Sequence, residues 1–315
     1  MTQDWQTNPV LSVPDLNEAL DFFTSRLGFR VDMIFPADAP NTAVISGQGI
    51  TLRLEAKTKH PTIEVINDPR EFIISRLHTE DAWSVGRAGM QYRDLIPGRL
   101  GGKIIASHIR IPDGGETPDY VHYHKIHFQM IYCKTGWVRV VYEDQGPPFI
   151  LEAGDCVLQP PKIRHRVLES SPGLEVIEIS SPAIHETWAD HELALPTSQH
   201  LPERIFSGQK FARHQAKNAL WKPTSIDGLE ARDTSIGDAT NGLAGARVLR
   251  TIKSISANVD GHSGDFLFWF ILQGELKING NHQLQAGDSC VIPASIDYAF
   301  EASNGLELME VSLSE

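Results

Sequence analysis

The sequence lacks any uninterrupted apolar run long enough to cross a bilayer, so no membrane span is expected. Its first residues, Met1-Thr-Gln-Asp-Trp-Gln6, have neither the basic stretch nor the apolar core of a secretory signal, and a cytoplasmic location is expected. Cysteine is scarce. Cys133, Cys156 and Cys290 lie far apart, are odd in number and form no CxxC pair, which excludes a disulfide framework or a zinc ribbon. Cys133 and Cys156 fall in apolar strand-like runs and read as buried thiols. Positive charge is also in short supply: 28 Lys and Arg stand against 40 Asp and Glu, a formal net charge of −12. Such a chain repels phosphate backbones, so no nucleic-acid partner is expected. The one basic run, Lys210, Arg213, Lys217 and Lys222 with His214 among them, reads as a solvated helix face. No phosphate-cradling glycine loop and no Ser-His-Asp signature is present, so no nucleotide cofactor site is expected.

What is present is enough for two or three folded domains. The chain has 315 residues, of which 41% are hydrophobic and 22% charged, ordinary values for a packed protein. Residues 1–60 predict a small α+β module. A strand over 8–13 precedes a helix in which Leu16, Ala19, Leu20, Phe23 and Leu27 recur at helical spacing. Asp15 is its N-cap and Gly28 its stop. Strands follow over Phe29–Ile34, Thr42–Ser46 and Ile50–Leu54, giving a βαβββ order. Residues 61–100, with Pro61, Pro69 and Pro97, read as a linker or arm holding one short helix near Arg70–His78.

The remainder contains a repeat. Gln129-Met-Ile-Tyr-Cys-Lys-Thr-Gly136 and Glu152-Ala-Gly-Asp-Cys-Val-Leu-Gln-Pro160 have counterparts in Phe268-Trp-Phe-Ile-Leu-Gln-Gly274 and Gln285-Ala-Gly-Asp-Ser-Cys-Val-Ile-Pro293. Each set is followed by a closing strand, Leu174–Ile179 and Leu306–Val311. Short strands punctuated by Gly, Pro and the Asn279-Gly280 turn signal antiparallel barrels, and the repeat signals two of them. The expected units are a first barrel over 101–197, a connector over 198–227 and a second barrel over 228–315.

Chemistry concentrates in the first copy. His122 and His124 are two apart, so on a strand they share a face. Gln129 and His165 come from the strands that follow. Three imidazoles and one side-chain oxygen suit one divalent transition metal: Fe, Mn, Ni, Co, Cu or Zn. Gln129 reads either as the fourth ligand or as a hydrogen-bonding core residue, with His127 then a substitute ligand. His127 and Arg110 are the candidate catalytic residues, the first as a proton shuttle and the second as an anchor for a substrate carboxylate. Arg164 and Arg166 flank His165 and so point away from the interior. The segment His185-Glu-Thr-Trp-Ala-Asp-His191 reads as a surface segment, since histidines six apart on a helix do not share a metal. In the second copy the equivalent positions are Asp260, His262, Leu267 and Tyr298, a set that no longer holds a metal.

The pattern resembles the two signature motifs of the cupin superfamily. Gly115, His122, His124, Gln129 and Gly136 fit the first, with one extra residue after Gly115 and Gln for Glu. Gly154, Pro160 and His165 fit the second, with Lys162 for its second Gly and Glu169 for its final Asn. The resemblance implies a mainly β fold, two double-stranded β-helix barrels, with a metal inside the first. The N-terminal βαβββ segment resembles one module of the glyoxalase/bleomycin-resistance family in Pro14–Phe23 and Leu27-Gly-Phe29, with a structural or dimerising role expected. The function this implies is a metal-dependent bicupin enzyme acting on a small oxygenated organic substrate, by dioxygenation. Lyase or isomerase chemistry on a sugar acid or related small acid is the first alternative, because a neutral Gln129 leaves more positive charge on the metal. A non-catalytic small-ligand binding or sensing protein is the second. A homodimer is expected.

Overall fold

The computed structural model describes residues 4–57, 71–77, 83–85 and 90–314. Its N-terminal part has the expected order. The Asp15 carboxylate accepts from the Glu18 N–H at 2.9 Å and starts the helix Leu16–Asp21, which continues as a π-helical turn over Phe22–Arg26. Strands Arg30–Phe35, Thr42–Gly47 and Ile50–Ala56 follow, and Val10–Val13 pairs in parallel with the last of them. Val13, Leu16, Phe29, Ile45 and Leu54 make its small core.

This unit does not stand apart. Its strand Arg30–Phe35 pairs antiparallel with Thr187–Ala189, which pairs with His122–His124, which pairs with His165–Ser170. One ten-stranded sheet therefore runs from the N-terminal unit into one wall of the first barrel. The opposite wall is a seven-stranded sheet in which Phe128–Thr135 lies between Cys156–Leu158 and Leu174–Ser181. The second barrel is built from a seven-stranded and a four-stranded sheet.

The repeat is visible in the backbone. Gly154 and Gly287 share φ +91°, a left-handed conformation that glycine adopts without penalty. The aspartate after each is buried and accepts from the backbone N–H of a residue three positions back: Asp155 from Glu152 at 3.2 Å, Asp288 from Gln285 at 3.1 Å.

The central strands of the two barrels are apolar on both faces, for a physical reason. Phe128, Met130 and Tyr132 alternate with Gln129, Ile131 and Cys133. The first set enters a core shared with Phe266, Phe268, Phe270, Met309 and Val311 of the second barrel; the second set faces the inside of the first barrel. The second barrel is filled by Leu267, Trp269, Ile271, Tyr298 and Phe300, with Trp269 packed edge-on against both Tyr298 and Phe300. Its His262 is bonded to the Ile292 carbonyl at 2.9 Å.

Three expectations need correction. The helix near Arg70–His78 is a strand where it is described: Ile73–Ser75 pairs with Ser289–Val291 of the second barrel, while Arg70 and His78 lie outside the described residues. Ile73 enters the inter-barrel core and Ile74 the second barrel's core, a two-sided burial that helical spacing cannot deliver. The same arm pairs Gln91–Asp94 with the first barrel, so it clasps both barrels. The basic run of the connector is not a helix face. Gln209–Lys210, Ala212–His214 and Lys222–Pro223 are short strands, and Ala212–His214 extends the first barrel through Cys156–Leu158. Lys210 and Lys217 are paired there with Glu203 and Glu152. Finally, the segment after Ala183 is neither helical nor wholly on the surface: Thr187–Ala189 is a strand, and His185 is only 5% exposed.

Candidate metal centre

The strand His122–His124 turns both imidazoles inward and Tyr123 outward, where Arg164 stacks on it at 4.4 Å. His165 sits directly opposite His122 on the neighbouring strand. The ring centroids lie 4.3 Å apart for His122 and His165, 5.2 Å for His122 and His124, and 5.3 Å for His124 and His165. One ring nitrogen from each of the three falls within 4.8 Å of the others.

Each ring is oriented through Nδ1. His122 Nδ1 donates to the Tyr120 carbonyl at 2.8 Å and His165 Nδ1 to the Ile163 carbonyl at 3.0 Å. His124 Nδ1 is bonded to Thr187 Oγ1 at 2.9 Å. Asp119 adds a carboxylate 3.4 Å from His122 Nδ1 and is itself fixed by the Val167 N–H at 2.9 Å. An imidazole that donates through Nδ1 keeps its lone pair on Nε2, the arrangement that metal-ligating histidines use. The residues therefore fit a metal.

Gln129, 1% exposed, lines the same cavity. Its amide nitrogen donates to Glu178 at 3.0 Å, and its carbonyl oxygen accepts from Gln159 at 2.9 Å. Gln159 also lies 3.4 Å from His165 Nε2 and accepts from Tyr142 at 2.6 Å. Gln159, Glu178 and Thr187 line the same cavity and bond to the candidate ligands, and their sequence positions alone did not mark them. Alternation along Leu174–Ile179 would have placed Glu178 inward opposite Ile131, once that strand's partner was known.

The two candidate catalytic residues fall outside this cluster. His127 is exposed and does not line the cavity. Arg110 alternates with the cavity-lining Ile109 and Ile111, so it points outward, stacked on Trp83 at 4.0 Å and bonded to Gln91. Arg164 is paired with Asp190 at 3.0 Å on the outer side. Cys133 packs in the barrel core, and burial pushes its thiol up to about 12. His185, by contrast, does reach the cavity: its ring stands perpendicular to His124 at 5.5 Å, and burial pushes its pKa down.

The cavity measures about 160 Å³. That is close to the ~150 Å³ of an apolar cavity that accepts benzene, so the ligand is of one-ring size or smaller. Ile105, Ile109, Ile131, Val138, Val140 and Leu151 supply its apolar wall. A wider groove of about 1140 Å³ runs along residues of the connector and the second barrel, but the histidine cluster lies in the smaller cavity, and that decides where chemistry is placed.

Residues 107–179 match the family model described as Cupin domain. The match identifies residues 107–179 as a cupin domain, and with a second barrel of the same build the chain has a bicupin fold. Among solved structures it is similar to salicylate 1,2-dioxygenase from Pseudaminobacter salicylatoxidans, at 15% identity and a TM-score of 0.57, over 81% of this chain and 86% of that one. It is also similar to oxalate decarboxylase from Bacillus subtilis, at 12% identity and a TM-score of 0.55, over 82% and 78%. A gentisate adduct of the same dioxygenase gives 15% identity and a TM-score of 0.56, over 79% and 82%. At such identities the likeness shows the fold. No curated protein matches the sequence. No helix among the described residues is long and apolar enough to cross a membrane.

Proposed function

We propose that this protein is a metal-dependent bicupin enzyme that acts on a small oxygenated organic molecule, with dioxygenation as its reaction type. The observation that carries the reading is the convergence of His122, His124 and His165 beside a cavity of one-ring size. His122, His124, His165 and Gln129 would hold one Fe, Mn, Ni, Co, Cu or Zn ion, and such an ion supplies Lewis-acid polarisation of a substrate oxygen or, for a redox metal, access to oxygen chemistry.

The chain's own groups do the rest. The Tyr120 and Ile163 carbonyls hold two of the imidazoles in one tautomer, and Thr187 orients the third. Gln159 and Glu178 clamp the Gln129 amide from both ends, so its orientation is fixed before any ligand arrives. The isoleucine and valine wall keeps water from the reacting atoms and strengthens every charge interaction inside. Glu178 sets a carboxylate beside Gln129 and is placed to take up a proton from a substrate held there.

A second reading is Lewis-acid lyase or isomerase chemistry on a sugar acid or related small acid, favoured by the neutral Gln129. The likeness to a dioxygenase and to a decarboxylase supports either reaction class. The proposal includes a cytoplasmic homodimer whose first barrel, residues 101–197, carries the site and whose second, residues 228–315, supports it.

The test is metal analysis of the purified protein and of a His122→Ala/His165→Ala double variant, followed by oxygen-electrode assays. About one ion per chain, lost in the variant, and oxygen uptake with one-ring hydroxy acids support the first reading. Turnover without oxygen uptake transfers support to the second. A folded protein that takes up none of the six metals overturns both and leaves a ligand-binding protein.

A further inference from the structure

The N-terminal unit reaches the candidate site. Ile34, Ala37 and Asp38 line the same cavity as the histidines. They are held there by the pairing of Ile34 with Thr187 and by a hydrogen bond from the Ala37 N–H to the His185 carbonyl at 3.1 Å. Trp5 Nε1 donates to Glu186 at 2.7 Å from the same side. A domain that merely decorated the barrel would not need to place side chains beside the metal ligands.

Two of the residues gathered there carry an acceptor that meets no donor among the described residues. His185 donates through Nδ1 to the Pro182 carbonyl at 2.9 Å, which leaves a lone pair on Nε2. That Nε2 is buried and has no hydrogen-bond partner among the described residues, and the whole residue is only 5% exposed. Asp38 spends Oδ2 on Arg99 at 2.6 Å, and Arg99 is anchored in turn by Asp94 at 3.1 Å. Its Oδ1 is buried and equally without a partner among the described residues. Buried polar atoms are almost always satisfied, so two orphaned acceptors on residues that line one cavity mark the place of a missing donor.

We infer that the N-terminal unit completes the substrate pocket, and that His185 Nε2 and Asp38 Oδ1 form an accepting subsite for a hydroxyl or amino group of the substrate. The inference rests on the reading of this cavity as the substrate site, and it narrows the substrate class. The molecule carries an acidic or carbonyl oxygen for the metal and, away from it, at least one hydrogen-bond donor. A ligand that offers only lone pairs at that end meets two acceptors and is rejected. A hydroxybenzoate fits this description and benzoate does not.

The test is calorimetric binding of benzoate, the three monohydroxybenzoates and 3-aminobenzoate to the metal-loaded and metal-free protein. The variants are Asp38→Asn and His185→Phe. In Asp38→Asn, Arg99 retains the carbonyl oxygen and the amide NH2 group takes the place of Oδ1, so the subsite changes from acceptor to donor without a change of shape. Wild type is expected to bind the best donor-bearing probe at least tenfold more tightly than benzoate. That ratio is expected to fall toward one in both variants while metal content stays as in wild type. An unchanged ratio in Asp38→Asn with metal retained overturns the inference, as does the failure of every probe to bind wild type. Loss of the wider enzyme reading shows separately, as absence of metal uptake by wild type, and the donor preference is then still read on the metal-free protein.

Discussion

Thr187 Oγ1 lies 2.9 Å from Nδ1 of His124, and the strand that carries Thr187 is the one to which the N-terminal unit adds its sheet. A group that orients a candidate metal ligand is thus held between two structural units. Thr187→Val keeps the shape and removes the oxygen. Loss of such an outer partner weakens metal binding by about 10- to 100-fold. Chelator competition on a folded variant checks this, and an unchanged affinity would mean that packing alone sets the ring.

Gln129 sits 3.0 Å from Glu178. Gln129→Glu restores the residue type of the family motif but brings two carboxylates together inside the barrel. Like charges at that distance disfavour the metal-free state, and a bound cation relieves them. The expected outcome is a metal-free protein with a lower Tm than wild type and a larger rise in Tm on adding Zn or Mn. Thermal scans with and without metal decide it. Equal increments in the two proteins would show that residue 129 lies outside the metal's reach.

Much of the site was legible because it obeys short-range rules. His122 and His124 share a face by strand parity, and the motif places His165 on the next strand. The barrel repeat was legible in its glycines and aspartates. What was hidden depends on which strands become neighbours. Glu178 and Thr187 face the histidines only because Leu174–Ser181 pairs with Phe128–Thr135 and Thr187–Ala189 with His122–His124. The reading of His185–His191 failed for the same reason: a helical spacing argument was applied to a segment that sheet pairing holds extended. The N-terminal unit's role was invisible in its own residues, since Ala37 and Asp38 gain meaning only against the first barrel.

Lys162 occupies the position where the family motif has its second glycine, and its φ is +64°. A side chain in the left-handed region costs about 1–2 kcal/mol, which explains the motif's glycine. Lys162→Gly is expected to stabilise the protein by about 1 kcal/mol, less the backbone freedom that glycine adds to the unfolded chain. Urea denaturation measures the shift in midpoint. A destabilised variant would show that the Lys162 side chain makes a compensating contact.

Stability in acid follows from His108 and Glu175, 2.8 Å apart. The Glu175 carboxyl is held down at about 2, first by the hydrogen bond from His108 and then by Lys134, against the upward push of burial. His108 itself is pushed down by burial. The two directions agree if a neutral imidazole donates through Nε2 while Nδ1 accepts from Arg93 at 3.4 Å. A carboxyl with a depressed folded pKa stabilises above its unfolded value and loses that contribution as pH falls. For Glu175 the window runs from the ordinary 4.5 down to about 2. His108 acts in the same direction, beginning below 6.5, because the unfolded chain takes up its proton first. Glu175→Gln is therefore expected to lower Tm at pH 7 and to match wild type near the acid end of that window. A difference between the two proteins that does not shrink with acid would refute this account.

Phe268 is fully buried in the core that joins the two barrels, stacked on Phe266 at 5.9 Å. That core includes Met130 and Tyr132, whose strand neighbours Gln129 and Ile131 face the candidate site. The second barrel thus holds the floor of the first without supplying a ligand. Phe268→Ala, outside the cavity that the candidate ligands line, should cost about 3–5 kcal/mol. Because the cavity left behind is shared, the loss should fall on both barrels together and not on the second alone. Calorimetry of the metal-loaded protein is expected to give one transition, shifted down in the variant, with metal release at the same temperature. Two transitions in the variant, with metal retained through the first, would show that the first barrel stands without its partner.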